Sequence, residues 1–413
     1  MRKQVVRYIK ENWVNTIKPA CENEGTLLKL PKPYTTPCMS RMFQEMYYWD
    51  TYFANVGLIM SGMAEQAKNN VDNMIYMINT YGHMPNGNRV GYLNRSQPPF
   101  LSIMVREVFE ATGDMEWLKN EAYPALEKEY IFWQGERMTS CGLNRYSSNV
   151  TDEERLVRFA GTLCSRSGKP MPEDKEECME LGRSMYSLAE SGWDCTSRFA
   201  LDAHKYAPAD LNSLLYMLES NMAHFAALLG KNEDAESWKA RAQERKEKIN
   251  ALLWSEERGV FCDVNFETMK LNNVVSAAAF YPLFAGFATE EQAQKAVRAL
   301  TLLEQEYGIA CCENRDDLLS LQWDYPHGWA CLHYIAVRGL LNYGKKEDAL
   351  RIAEKYVNVA AKNFEETDNL WEKYNVVTGK VSVTKEYNTP PMMGWSAGVY
   401  LYCEQLLEEN GRG

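Results

Sequence analysis

Apolar residues along this chain recur in runs of helical length, and the runs come in pairs. Leu211 to Leu229 is apolar nearly all round, whereas Trp238 to Lys246 carries a charged face. A helix apolar on every side is buried, and one with a charged stripe looks outward. Between the members of a pair stands a glycine followed by acidic residues: Gly62 before Glu65, Gly113 before Asp114 and Glu116, Gly230 before Glu233 and Asp234, Gly286 before Glu290 and Glu291, and Gly344 before Glu347 and Asp348. Such a glycine suits a left-handed helix C-cap, and the acidic residues suit the next helix N-terminus. Each therefore marks the turn of a helical hairpin whose first member faces a common centre.

A repeat of this period means stacked or closed supersecondary units. The pattern predicts an all-α (α/α)6 toroid of six helical hairpins, inner and outer rings, with long loops at one end; an open solenoid is the alternative. The interval from Gly113 to Gly230 is about twice the others, which places an interrupted hairpin there. Residues 141–189 read as a loop insertion carrying one irregular helix pair. Residues 1–40, punctuated by Gly25, Pro31, Pro33 and Pro37, read as an irregular lead-in to a single domain spanning 1–413. Short strands are expected at Arg258–Val264 and Lys380–Thr384.

Composition changes this picture little. Hydrophobic residues make up 46% and charged residues 24%, as in soluble globular proteins. A formal charge of −11 disfavours nucleic acid or an acidic membrane as partner, since both require clustered Lys and Arg. No run approaches a membrane span or a signal-peptide core. Eleven scattered cysteines without Cys-x-x-Cys imply neither a disulfide framework nor a zinc site, so a cytoplasmic location is expected. Five histidines show no metal-ligand spacing. Dinucleotide, P-loop, nucleophile-elbow and zincin motifs are lacking.

The unusual residues cluster. Glu45-Met46-Tyr47-Tyr48-Trp49-Asp50, Pro85 to Arg89 with Asn94 to Pro99, Glu190-Ser191-Gly192-Trp193-Asp194, Gln322 to Trp329, and Glu386-Tyr387 with Gly394-Trp395 are each expected at or just before the start of an inner helix. In a hairpin toroid those starts share one end. The pooled carboxylates, indoles, phenols, carboxamides and arginines are the inventory of a carbohydrate pocket: aromatic faces for the ring, polar groups for hydroxyls, two carboxylates for glycosidic cleavage. Taken singly, Trp49, Tyr47 and Tyr48 read more readily as core, Arg95 equally as an ion-pair partner, and Glu372-Lys373 as a solvated pair. The carbohydrate reading rests on their meeting.

In these motifs the chain resembles the trehalases, glycoside hydrolase family 37. The matching stretches are Phe43-x-Glu45-x-Tyr47-Tyr48-Trp49-Asp50, Pro85-Asn86-Gly87-Asn88-Arg89 with Arg95-Ser96-Gln97-Pro98-Pro99, Glu190 to Asp194, Gln322-Trp323-Asp324-Tyr325-Pro326-x-Gly328-Trp329, Glu372-Lys373-Tyr374-Asn375-Val376, and Glu386-Tyr387 with Gly394-Trp395. They occur in the family's order over most of the chain. The resemblance implies an (α/α)6 barrel and an inverting α-glucosidase acting on α,α-trehalose or a close α-glucoside, with Asp194 as general acid and Glu386 as general base. It implies that Phe43, Trp49, Asn86, Arg95 and Gln97 line the glucose subsite beside the scissile bond, with Trp323 and Trp329 near the rim. Tyr47, Asp50, Trp193 and Trp395 join the substrate-binding candidates from the same motifs.

No metal or organic cofactor is implied; the expected partner is a small carbohydrate, and the expected assembly a monomer or small homo-oligomer. Four departures stand out. Met42 replaces the family's arginine, with Arg41 one step earlier. The family's Arg-Pro-x-Glu-Ser segment has no clear counterpart, Arg155, Arg158 and Arg166 being the possible substitutes. Val381 to Lys385 replaces a glycine-rich run, and His327 replaces an asparagine. They leave open a related hydrolase acting on glucosylglycerate or mannosylglycerate, whose carboxylate would want a cation such as Arg41, Lys380 or Lys385. A sugar epimerase relying on His327, or a non-catalytic sugar-binding protein, is the remaining alternative.

Overall fold

The computed structural model describes residues 1–384 and 386–413. Six helices form a closed inner ring, in ring order α2 (Tyr48–Met60), α4 (Leu101–Thr112), α9 (Ala209–Leu228), α11 (Tyr281–Phe284, continuing a 3-10 turn at Ala277–Phe280), α13 (Ala330–Asn342) and α15 (Gly394–Glu409), the last packing back on α2. The outer helices are α1 (Arg2–Thr16), α3 (Ala64–Tyr81), α5 (Met115–Trp117) running through a π turn at Leu118–Ala122 into α6 (Tyr123–Gly135), α10 (Asn232–Leu253), α12 (Glu290–Leu303) and α14 (Lys346–Thr367). This is an (α/α)6 toroid.

Hydrophobic patterning accounts for the two rings. Every residue of α2 from Tyr48 to Leu58 is buried. In α10 only Ala235, Trp238, Ala242, Arg245, Ile249 and Leu253 are buried, a single stripe at three- and four-residue spacing. All five turn glycines take the left-handed conformation, with φ between 66° at Gly344 and 77° at Gly62. They join α2 to α3, α4 to α5, α9 to α10, α11 to α12, and α13 to α14.

The sixth pair is made by the two ends of the chain rather than by an interrupted hairpin after Gly113. Arg2–Thr16, expected as irregular lead-in, forms α1, which buries Val5, Ile9, Trp13 and Thr16 and packs on α14 and α15. The Arg2 guanidinium pairs with Glu404 of α15 at 2.6 Å. The prolines and glycine that marked a loop begin only after this amphipathic run. Ring closure depends on two glycines: a Cβ on Gly398 of α15 would lie 1.9 Å from the Phe53 carbonyl of α2, and one on Gly57 2.7 Å from the Gly398 Cα.

The doubled interval instead holds an appended hairpin, α7 (Glu153–Ser167) and α8 (Lys175–Ser191). Its helices are regular, not the irregular pair expected within 141–189. Asp152 and Asp174 cap them by accepting from the Arg155 and Glu177 amides. They approach closely at Gly182, where a Cβ would sit 2.1 Å from the Leu156 carbonyl. Small separate cores, including Leu163, Met185 and Leu188, hold the pair together.

Strands are two or three residues long. Val260–Phe261 pairs with Trp254–Ser255, and Val264–Asn265 lies between Tyr206–Ala207 and Lys270–Leu271. Of the strand expected at Lys380–Thr384, Val381 makes a single bridge to Tyr374. Lys385 lies outside the described residues. Among the described residues no helix is long and apolar enough to cross a membrane.

Candidate active site

The start of α2 needs acceptors for its first amides, which have no partner within the helix. The loop 86–97 supplies them: the Asn86 carbonyl accepts from Tyr48 N at 3.1 Å, and Gln97 Oε1 accepts from Trp49 N at 3.2 Å. Docking this loop brings Asn86, Arg95 and Gln97 beside Trp49 and Asp50. Behind it lies Glu190, fully buried, which accepts from the Ser96 amide (2.7 Å) and the Ser147 amide (2.6 Å). The Asn86 side chain donates to the Ala189 carbonyl at 3.2 Å, fastening the same loop to α8.

Asp194 was expected just ahead of an inner helix; it follows the C-terminus of α8 and precedes α9 by a loop. The Gly192 C-cap has φ +75°, and a Cβ there would lie 2.7 Å from the Trp49 indole. Glycine thus serves both the turn and the close approach. Beyond it, Trp193 is fully buried and stacks on Trp323 (5.5 Å, 27°) under the Arg198 guanidinium (4.8 Å). It does not line the cavity: the turn aims Asp194 inward and its neighbour into the core.

A cavity of about 270 Å³ collects residues from every stretch singled out. Phe43, Tyr47, Trp49, Asp50, Asn86, Arg95, Gln97, Asp194, Trp323, Trp329 and Trp395 all line it. Trp323 and Trp329, expected near the rim, are 2% and 1% exposed and stack at 3.7 Å, with Trp395 edge-on to Trp329 at 5.6 Å. They form a rigid wall because the Trp329 indole N–H is spent on the Gln322 carbonyl (2.9 Å). Phe43 holds φ +50°, a strained value for a bulky residue, with its ring edge-on to Tyr47 and Tyr387.

Electrostatics at the cavity are dominated by carboxylates kept from bulk water. Burial raises the Asp194 pKa, the nearby Glu386 charge adds to the rise, and Arg166, Arg95 and Lys373 oppose it. Burial, the Glu372 charge and Asp194 push Asp50 up to about 8. Glu386 is half-buried and is not among the lining residues, although its neighbour Tyr387 is. Among the described residues no group of three or more metal-ligating side chains stands together.

Several lining residues escaped the sequence reading. Glu372 and Lys373, read as a solvated pair, are 3% and 0% exposed and bonded at 2.6 Å; Glu372 also accepts from the Tyr387 hydroxyl at 2.9 Å. Of the two only Glu372 lines the cavity, while the Lys373 ammonium stands 4.1 Å from the ring centre of the lining residue Tyr387, so the pair is not a solvated charge run. Phe159, Thr162 and Met185 come from the segment expected as a loop insertion, as does Arg166, which the sequence had offered as one substitute for the family's missing arginine segment. Arg41 is exposed and outside the lining, and His327 is buried, bonded to Ser382 at 2.8 Å and likewise outside it.

Comparison with known proteins agrees with this architecture. The trehalase family model matches residues 2–408. The periplasmic trehalases of Shigella flexneri serotype 5b and Escherichia coli O6:H1 are each 34% identical, over 94% of this chain and 71% of theirs. Among solved structures, the neutral trehalase Nth1 from Saccharomyces cerevisiae superposes with TM-score 0.79 at 30% identity, covering 98% of this chain and 80% of that one. A mannosylglycerate hydrolase from Thermus thermophilus, at 16% identity and TM-score 0.65 over 96% of this chain and 99% of its own, shares the fold. The periplasmic names of the curated relatives overturn the expected cytoplasmic location. Nine of the eleven unpaired cysteines are buried, and a buried free thiol behaves as a small apolar group that records no redox compartment. With this ring, this cavity and this continuous match, the chain belongs to the trehalase family of glycoside hydrolases.

Proposed function

We propose that this protein hydrolyses α,α-trehalose to two glucose molecules with inversion, Asp194 as general acid and Glu386 as general base. The observation that carries the reading is the environment of Asp194: a carboxyl lining the cavity, raised in pKa by burial and by the Glu386 charge. A raised pKa keeps a proton available to the glycosidic oxygen. As that oxygen takes the proton, the C1–O bond breaks. Glu386 removes a proton from the water that forms the new C1–O bond on the opposite face. The attacked sugar leaves as β-glucose, while the departing sugar keeps its α configuration.

Phe43, Tyr47, Trp49, Asp50, Asn86, Arg95, Gln97 and Trp395 surround the glucose whose bond is cut. Trp323 and Trp329 supply aromatic faces, and Asp50, protonated at neutral pH, donates a hydrogen bond to a hydroxyl. Trp193 backs Trp323 without touching substrate. The donors and acceptors meet uncharged hydroxyls, which agrees with the trehalases named above.

Proton NMR of the protein with trehalose, α-glucosylglycerate and α-mannosylglycerate tests the reading. Equal initial release of β- and α-glucose from trehalose is expected. Turnover of a glycerate substrate with trehalose untouched would replace this assignment.

A further inference from the structure

A cation stands behind the cavity without lining it. Lys373 is fully buried, and among the described residues Glu372 is the one carboxylate within 4.0 Å of its ammonium. A buried ammonium is costly to keep charged, so its place asks for a reason beyond packing. Backbone pairing sets that place: Lys373 lies opposite Trp329 in the two-stranded ladder of His327–Trp329 and Lys373–Asn375. Residues opposite one another in a ladder share a face, and the ammonium stands 4.9 Å from the Trp329 ring centre. Trp329 leads directly into α13, so the cation is referenced to the inner ring.

The same short strand fastens the stretch that carries Glu386. The Ser382 amide donates to the Lys373 carbonyl at 3.4 Å, and the Glu372 amide donates to the Pro390 carbonyl at 3.2 Å. Glu386 and Tyr387 stand in sequence between those two ties. Tyr387 reaches inward, its hydroxyl donating to Glu372 Oε1 at 2.9 Å and its ring centre lying 4.1 Å from the Lys373 ammonium. The second Glu372 oxygen accepts from that ammonium at 2.6 Å. Lys373, Glu372 and Tyr387 thus close a ring of three contacts. Tyr387 is the next residue after Glu386, so fixing its ring fixes the backbone from which the Glu386 side chain starts.

We propose that Lys373 is a positioning residue for the reaction: by clamping Glu372 and the Tyr387 ring, it seats Glu386 to take a proton from the attacking water. The proposal rests on the reading of Glu386 as general base.

α-Glucosyl fluoride isolates that step, because fluoride leaves without a proton whereas the attacking water must still give one up. Kinetics of Lys373→Met and Tyr387→Phe are compared with the parent on trehalose and on the fluoride, each variant alone and combined with Glu386→Gln. For Lys373→Met, kcat is expected to fall about 10–100-fold on both substrates alike, as for a reacting group displaced by about 1 Å, with most of the loss in kcat and not in KM. Tyr387→Phe shows a smaller loss of the same kind. In the Glu386→Gln background neither adds a further loss, since both act through the same group.

A loss confined to trehalose overturns the proposal, because Lys373 is also among the positive charges felt by Asp194 and would then act through the acid. So does a loss carried by KM, or one that adds in full to Glu386→Gln, since either would mark a general loosening of the pocket. Unchanged kinetics overturn it as well. Should Lys373→Met fail to fold, Tyr387→Phe, which removes one oxygen, decides by the same comparisons. Parental fluoride hydrolysis in Glu386→Gln refutes the base assignment and this proposal with it. An inactive Glu386→Gln beside an unimpaired Lys373→Met refutes the proposal alone.

Discussion

Arg137 grips Glu190 through two parallel hydrogen bonds of 2.8 Å, Nε to Oε2 and Nη2 to Oε1, with both side chains almost wholly out of solvent. The same carboxylate accepts the amides of Ser96 and Ser147. One buried ion pair therefore fixes the end of α8, from which Asp194 projects, against the loop that carries Arg95 and Gln97.

Removing the cation is expected to be expensive. Arg137→Met leaves the Glu190 charge buried with only its two amide donors, and breaking such a pair typically costs ~3–5 kcal/mol. Urea unfolding should show the loss, and the surviving folded enzyme should have a raised KM as the loop relaxes. A midpoint within error of the parent would mean that the two amides suffice.

Asp194→Asn and Glu386→Gln should each lower turnover of the natural substrate by ~10²–10⁴-fold with folding intact. Their substrates separate the roles. Asp194→Asn should retain hydrolysis of α-glucosyl fluoride, whose leaving group requires no proton, whereas Glu386→Gln should lose it. In the parent, activity falls as pH rises through the raised Asp194 pKa, because the acid form is the working form. Loss of fluoride hydrolysis in both variants alike would count against the division of labour.

Asp50 gives a stability signature of definite sign. Its pKa rises from 3.8 in the unfolded chain to about 8 in the fold. Between those values the native state keeps a proton that the unfolded state has released, so this group makes stability fall as pH rises across that window. Asp50→Asn cannot lose the proton, and its urea midpoint should decline less than the parent's across the part of that window from about pH 5 to about pH 8. Identical slopes would show that Asp50 is ionised in the native protein.

Closure of the ring is open to a minimal test. Gly398→Ala places a methyl against the Phe53 carbonyl at 1.9 Å, a backbone contact that cannot swing aside. Overpacking of this kind costs ~1–3 kcal/mol or more. A lowered thermal midpoint is expected, since α15 and α2 must part. An unchanged midpoint would show that the termini join the ring loosely.

The sequence alone determined the helical hairpins, because an all-apolar helix followed by glycine and a charged-face helix has few ways to bury itself. It also supplied the lining residues of the ring wall, from Phe43 to Trp395, since indoles, carboxamides and carboxylates at inner-helix starts converge whenever the hairpins close. Three things were decided only in three dimensions. Closure by α1 and α15 depends on a fit between Gly57 and Gly398, and a pair of helices from opposite ends leaves no turn glycine to read. The burial of Glu372 and Lys373 follows from their packing between Tyr387 and Trp329, whereas adjacent opposite charges in a sequence look solvated. The hairpin wall was hidden, Arg166 excepted, because its segment reads as exposed loop, and only the fold of α7 against α8 brings Phe159, Thr162 and Met185 to the cavity.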